Sequence, residues 1–194
     1  MSVHARRQLL RGSLVTAAAT LSAGILGLFR PRGLGAADAV AVPQSNAGGL
    51  SGASSDTLLV EREIHRLMSL YSRACDERRW DLADQIFAPD VESSFNPGKG
   101  RQGGIDSWKQ HLGGCGPTQH LMGNMLVEVS GGRATSRTYV RAFHRGKGVK
   151  STLFWDLMGE YSAEWERRPE GWRATRWVLR TITSEGSMSV LGPE

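Results

Sequence analysis

The sequence predicts an α+β domain in which a curved, mainly antiparallel sheet wraps around a long N-terminal helix. Three observations carry this reading. Apolar residues recur at three- and four-residue spacing from Val60 through Ile64, Leu67, Met68, Tyr71 and Ala74 to Cys75, with charges between them, which is the stripe of an amphipathic helix. Four later runs, 118–129, 133–145, 151–167 and 171–183, are strand-like. The turns between them, Gly131-Gly132, Gly146 to Gly148 and Pro169 to Gly171, suit hairpins. Helices first and hairpins afterwards is the order expected of an α+β domain.

Taken in order, residues 1–39 read as an export address and not as part of the fold. ARRQLLRG (5–12) sets paired arginines before an uncharged stretch from Gly12 to Phe29, and Ala37-Asp38-Ala39 offers an A-x-A cleavage site, the pattern of a twin-arginine signal. The competing reading is an uncleaved anchor, for which this Ala-, Gly-, Ser- and Thr-rich stretch is barely long enough. The expected location is periplasmic or secreted, with no stable membrane association after cleavage. Residues 40–55, including PQSNAGGLSGASS, lack periodicity and form a flexible lead-in.

The domain itself is expected over 56–185, with 186–194 as a tail. Ser55 or Asp56 caps the first helix. A short second helix runs from Trp80 to Phe87 and stops at Ala88-Pro89, because the residue before proline disfavours the helical region. Val91 to Asn96 reads as a short strand, Pro97 to Gly104 as a loop, and Ile105 to Leu112 as a further helix ended by Gly113-Gly114. In the third strand run Leu153, Trp155, Leu157, Tyr161, Ala163 and Trp165 share the odd face, which is expected to pack on the helices. A sheet wrapped in this way leaves a cavity at its open end.

Charge excludes one class of partner. The leader holds five of the 24 Lys and Arg residues and one of the 19 acids, so the remainder is close to neutral and carries no nucleic-acid footprint. Cys75 and Cys115 allow either one disulfide or two buried thiols. C-x₂-C and H-E-x-x-H spacings do not occur, which argues against zinc.

The most informative stretch is GPTQHLMGN (116–124). Alternation points Thr118, His120, Met122, Asn124 and Leu126 one way, and Leu121, Met125, Val127 and Val129 the other. The first face mixes polar and apolar groups, and an unpaired buried polar group costs roughly 1–3 kcal/mol, so that face is expected to line a pocket. Together with CDERRWDLADQIFAPD (75–90) and YVRAFHRG (139–146), in that order, it resembles the SnoaL-like branch of the nuclear transport factor 2-like superfamily, and within it the scytalone dehydratase-like pattern of an aspartate before Trp-Asp, a TQH tripeptide and a second histidine on the next strand.

The resemblance covers about residues 56–183 and implies a cone-shaped α+β barrel. It further implies that Asp76 orients His120, that His120 removes a proton from carbon, and that His144 holds a water or protonates a leaving hydroxyl, with no metal or organic cofactor. Tyr71, Cys75, Met122, Asn124 and Arg176 are the expected substrate-binding residues, with Cys75 standing where that pattern has a tyrosine and Tyr71 one turn earlier as the substitute phenol. His65 and His111 are expected to be solvated, and most of the six tryptophans to be packing residues. The implied function is a dehydratase-type lyase acting on a small hydrophobic, aromatic or polycyclic substrate, or an isomerase using the same dyad. A non-catalytic ligand-binding or assembly module remains the alternative from another class. A homo-oligomer, dimer or trimer, is implied by the resemblance alone.

Overall fold

The computed structural model describes residues 54–95 and 97–192. The expected leader and most of the lead-in lie outside the described residues. Helix α1 (Ser55–Asp76) is followed by a 3-10 turn (Trp80–Leu82), helix α2 (Ala83–Ile86), strand β1 (Phe87–Ser93) and helix α3 (Gly100–Leu112). Strands β2 (Cys115–Ser130), β3 (Arg133–Gly146), β4 (Phe154–Arg168) and β5 (Gly171–Gly186) complete one sheet of order β1-β5-β4-β3-β2. All neighbouring pairs are antiparallel except β1 with β5. No helix among the described residues is long and apolar enough to cross a membrane.

The stripe on α1 does what its spacing requires: Ile64, Leu67, Met68, Tyr71, Ala74 and Cys75 are buried, and they meet the inward side chains of the sheet. Ala134, Val140 and Ala142 of β3, Leu157, Tyr161, Ala163 and Trp165 of β4, and Trp172, Ala174 and Trp177 of β5 form the facing core.

Several boundaries differ from expectation. Ser54, not Ser55 or Asp56, caps α1, its hydroxyl accepting from the Thr57 amide at 3.2 Å. The second helix stops at Ile86, because Phe87 pairs with Ala174 of β5 and the chain becomes an edge strand that tolerates Pro89. The expected loop before α3 is partly helical, α3 starting at Gly100. Leu153 precedes β4 and is exposed. The expected tail folds back: a 3-10 turn (Met188–Val190) buries Val190, and the Gly192 amide donates to the His111 carbonyl at 2.8 Å.

Two bulges reassign faces. β2 carries an extra residue between Gly123 and Leu126, with Asn124 in the left-handed region at φ 52°, so Met125, Val127 and Val129 turn inward after it and Leu126 is exposed. On β5 the register against β4 shifts between Ala174 and Arg176, so Trp177, not Arg176, continues the inward row. The outward face of the sheet exposes Leu121, Tyr139, Met158 and Ile182 beside the ion pairs Arg141–Asp156 (2.6 Å) and Arg137–Glu160 (2.8 Å).

Candidate active site

Asp76 is the last residue of α1, where the stripe delivers it against the start of β2. Its carboxylate accepts three hydrogen bonds: His120 Nδ1 at 2.7 Å and the Thr118 hydroxyl at 2.9 Å on Oδ1, and the His120 amide at 2.9 Å on Oδ2. The Asp76 side chain is 22% exposed and that of His120 only 5%. Burial alone would raise the Asp76 carboxyl, but the hydrogen bonds from the His120 ring and amide, with that from Thr118, outweigh it and hold the group below the usual carboxylate range. An ionised carboxylate only accepts, so Nδ1 of His120 carries a proton, and in the neutral ring Nε2 presents the lone pair. The arrangement is that of a general base held by its orienting acid.

His144 lies across β3, opposite Thr118 in the strand register. Its ring meets that of His120 edge to face, with centroids 5.4 Å apart, and packs on Trp155 at 5.0 Å. Nδ1 of His144 bonds the Trp155 carbonyl at 3.2 Å, and since a carbonyl accepts, Nδ1 again bears the proton. Burial first, and the neighbouring His120 second, push this ring down to about 4. His144 is therefore neutral near pH 7 with an acceptor Nε2, which suits holding a water or hydroxyl.

Tyr71 is buried, its phenol sharing a 3.0 Å hydrogen bond with Tyr161 and its ring centroid 6.3 Å from that of His120. Burial raises both phenols above their ordinary range. Cys75 is buried beside Tyr71, and burial pushes its thiol up to about 12, so it is neither a nucleophile nor an ion here. Of the two alternatives open for Cys75 and Cys115, the structure has two buried free thiols, Cys75 facing the core and Cys115 directed at the Val190 carbonyl at 3.4 Å. Met122 keeps its inward face and packs on the core.

Two expected binding residues are not brought to the dyad. The bulge leaves Asn124 exposed on the outward side, and Arg176 faces Glu164 at 4.0 Å. Both errors come from assuming unbroken alternation along strands that contain an extra residue. His111 is not simply solvated, since Nδ1 bonds the Ser107 carbonyl at 2.7 Å. Of the tryptophans, Trp165 and Trp177 are fully buried, and Trp155 packs at a tilt against a site histidine. Two surface grooves, one bordered by Leu121, Tyr139 and Met158 and the other by Glu128, Arg133 and Glu166, lie apart from the dyad.

Sequence reasoning missed two partners. Thr118 was visible on the His120 face, two residues upstream, but nothing in the pattern tied it to Asp76. Arg78 sat in the charge run DERR, yet its guanidinium bonds Thr118 Oγ1 at 2.9 Å, the Gly116 carbonyl at 3.1 Å and the Cys75 carbonyl.

The profile of the SnoaL-like domain matches residues 56–178. The chain belongs to the SnoaL-like family. A protein of Mycobacterium tuberculosis described as uncharacterized is 35% identical over 125 residues, covering 60% of this chain and 81% of that protein. A candidate scytalone dehydratase from Novosphingobium aromaticivorans superposes with a TM-score of 0.60 at 29% identity, covering 68% of this chain and 91% of its own. A nuclear transport factor 2-like superfamily protein from Salmonella enterica shares the fold, with a TM-score of 0.56 at 16% identity over 66% of this chain and 94% of its own. The SnoaL-like domain thus accounts for α1 through the first half of β5.

Proposed function

We propose that this SnoaL-like chain is a cofactor-independent lyase that removes water from a small hydrophobic substrate, aromatic or polycyclic, bearing an acidic C–H next to a carbonyl. The observation that carries the reading is the 2.7 Å contact of His120 Nδ1 with Asp76, which places the proton of the neutral, buried imidazole on Nδ1 and its lone pair on Nε2. In the proposed step Nε2 takes the proton from carbon, and the electron pair of that C–H bond forms the new double bond as the C–O bond breaks. The imidazolium, stabilised by Asp76, then returns its proton to the departing hydroxide, giving water and regenerating the base. His144 holds the leaving oxygen by accepting its O–H. The superposition on a candidate scytalone dehydratase supports an elimination of this kind.

An isomerase shares the first step, and it differs in returning the proton to another carbon. A binding module would gain nothing from a buried, charge-oriented imidazole, which is why the dyad favours an enzyme. The test is deuterium wash-in from solvent into a panel of aryl ketones and hydroxyketones, with product analysis. Loss of exchange in His120→Ala and Asp76→Asn, with the fold intact by circular dichroism, supports proton abstraction. Tight binding without exchange for any compound points to the binding module.

Two further assignments belong to this reading. Export by the twin-arginine route is supported by the paired arginines Arg6 and Arg7 and checked by replacing both with lysine and fractionating cells. Homo-oligomerisation is assigned to the outward sheet face. There Leu121, Tyr139 and Met158 are exposed, while the carboxylates of Asp156 and Glu160 are already paired with arginines of the same chain. Tyr139→Lys is expected to reduce the mass measured by light scattering.

A further inference from the structure

We propose that Arg78 is a positioning residue for the dyad, its guanidinium directing a hydrogen-bond chain through Thr118 to Asp76 that locks His120 in the tautomer with a free Nε2. The directionality follows from donor counts. A guanidinium has donors only, and the hydroxyl of Thr118 has one proton. Arg78 stands 2.9 Å from Thr118 Oγ1, so that oxygen is occupied as an acceptor and its proton is turned to the remaining neighbour, Asp76 Oδ1, also at 2.9 Å. Oδ1 then carries two donors, Thr118 and His120 Nδ1, while Oδ2 takes the His120 amide. With both oxygens engaged, the carboxylate has one orientation, and the imidazole has one face to bond.

The same guanidinium joins the two segments that bear the dyad. It bonds the Cys75 carbonyl at the end of α1 and the Gly116 carbonyl near the start of β2, at 3.1 Å for the latter. The backbone singles out this position too. Arg78 has φ 58°, the left-handed region that a residue with a β-carbon enters at a cost and glycine does not. An arginine here is therefore held by what its side chain reaches. Thr118 also lies opposite His144 in the register of β2 and β3, so the relay is anchored on the strand pair that carries both histidines.

The importance of the relay to catalysis rests on the proposed role of His120 as the base, but the tautomer itself is read without substrate. The test is long-range ¹H–¹⁵N correlation spectroscopy of the intact chain labelled with ¹⁵N-histidine, at neutral pH. Wild type is expected to show His120 as a single Nδ1–H tautomer with an unprotonated Nε2. Arg78→Gly keeps the left-handed turn while removing the guanidinium, and Thr118→Val removes the relay hydroxyl. In each, the two ring nitrogens of His120 are expected to move toward the shifts of an imidazole exchanging between tautomers, while His144, fixed by the Trp155 carbonyl, stays put as the internal reference. Thr118→Ser is expected to restore the wild-type pattern. If Arg78→Gly does not fold, the Thr118 pair carries the test. An unchanged single tautomer in Thr118→Val, or in a folded Arg78→Gly, overturns the proposal. A wild-type His120 in the Nε2–H form overturns both the relay and the proposed reaction. The expected tautomer pattern in a protein that exchanges no deuterium removes the reaction and leaves the positioning role standing.

Discussion

Replacing Asp76 with asparagine separates the two things this carboxylate does. In the native site it accepts from His120 Nδ1 at 2.7 Å and from the Thr118 hydroxyl and the His120 amide at 2.9 Å each. Hydrogen bonds to a charged group contribute about 1.5–3 kcal/mol each and neutral ones about 0.5–1.5 kcal/mol. With its amide nitrogen in the place of Oδ1, asparagine keeps one oxygen for only one of the three donors, the His120 amide, so the lost interactions exceed those retained by several kcal/mol. Part of this is offset because a charge no longer has to be held in a site where only 22% of the side chain is exposed. The net expectation is a destabilisation of about 1–3 kcal/mol, read as a lower urea midpoint at unchanged slope. The chemical loss is larger in kind. An amide NH₂ facing Nδ1 makes that nitrogen an acceptor and moves the imidazole proton to Nε2, the position that must be vacant. The rate of proton abstraction is then expected to fall by about 10²–10⁴, equivalent to roughly 3–5 kcal/mol of barrier. Deuterium wash-in under single-turnover conditions measures it. A folded Asp76→Asn protein within about threefold of the wild-type rate would refute the reasoning, because the tautomer would then not matter.

Three other outcomes follow from the same geometry. Burial pushes His144 down to about 4 from an ordinary 6.5, so below pH 6.5 the unfolded chain takes up a proton that the folded chain refuses. Stability is expected to fall as pH drops from about 6.5 toward 4, by as much as roughly 3 kcal/mol, and His144→Asn should flatten that slope in urea titrations at several pH values. Tyr71→Phe and Tyr161→Phe each strand the other phenol in the core and should cost about 1–3 kcal/mol, whereas the double variant should cost less than the sum, a coupling measured by a double-mutant cycle. Thiol titration of the unreduced protein should find both Cys75 and Cys115 after denaturation and far slower reaction before it, since both are buried.

The parts of this architecture that were legible in the sequence are those where one side chain's environment depends on near neighbours. The stripe from Ile64 to Cys75 declared the buried face of α1, and the glycine turns declared the hairpins. Asp76 and His120 were paired through the resemblance of the motifs around them to the SnoaL-like pattern, and the structure brings the pair together. Asn124 and Arg176 were misplaced for a single reason: each follows or adjoins an extra residue, and nothing local marks where a strand adds one. The helix expected over Trp80 to Phe87 was shortened because pairing of Phe87 with β5, a partner distant in sequence, outweighed local preference. The role of Arg78 was invisible for a related reason, since it depends on Gly116 and Thr118, some forty residues away.

The extra residue in β2 has an uncommon relation to the strand's pattern. Adding one residue ordinarily inverts every side chain after it, but here the downstream residues Met125, Val127 and Val129 are apolar at the positions that face inward with the insertion counted. Removing Asn124 would then leave each remaining side chain on its present side and take away the added bend. Strand curvature is thereby encoded separately from side-chain identity: a one-codon deletion can flatten the wall while leaving the Asp76–His120 pair untouched.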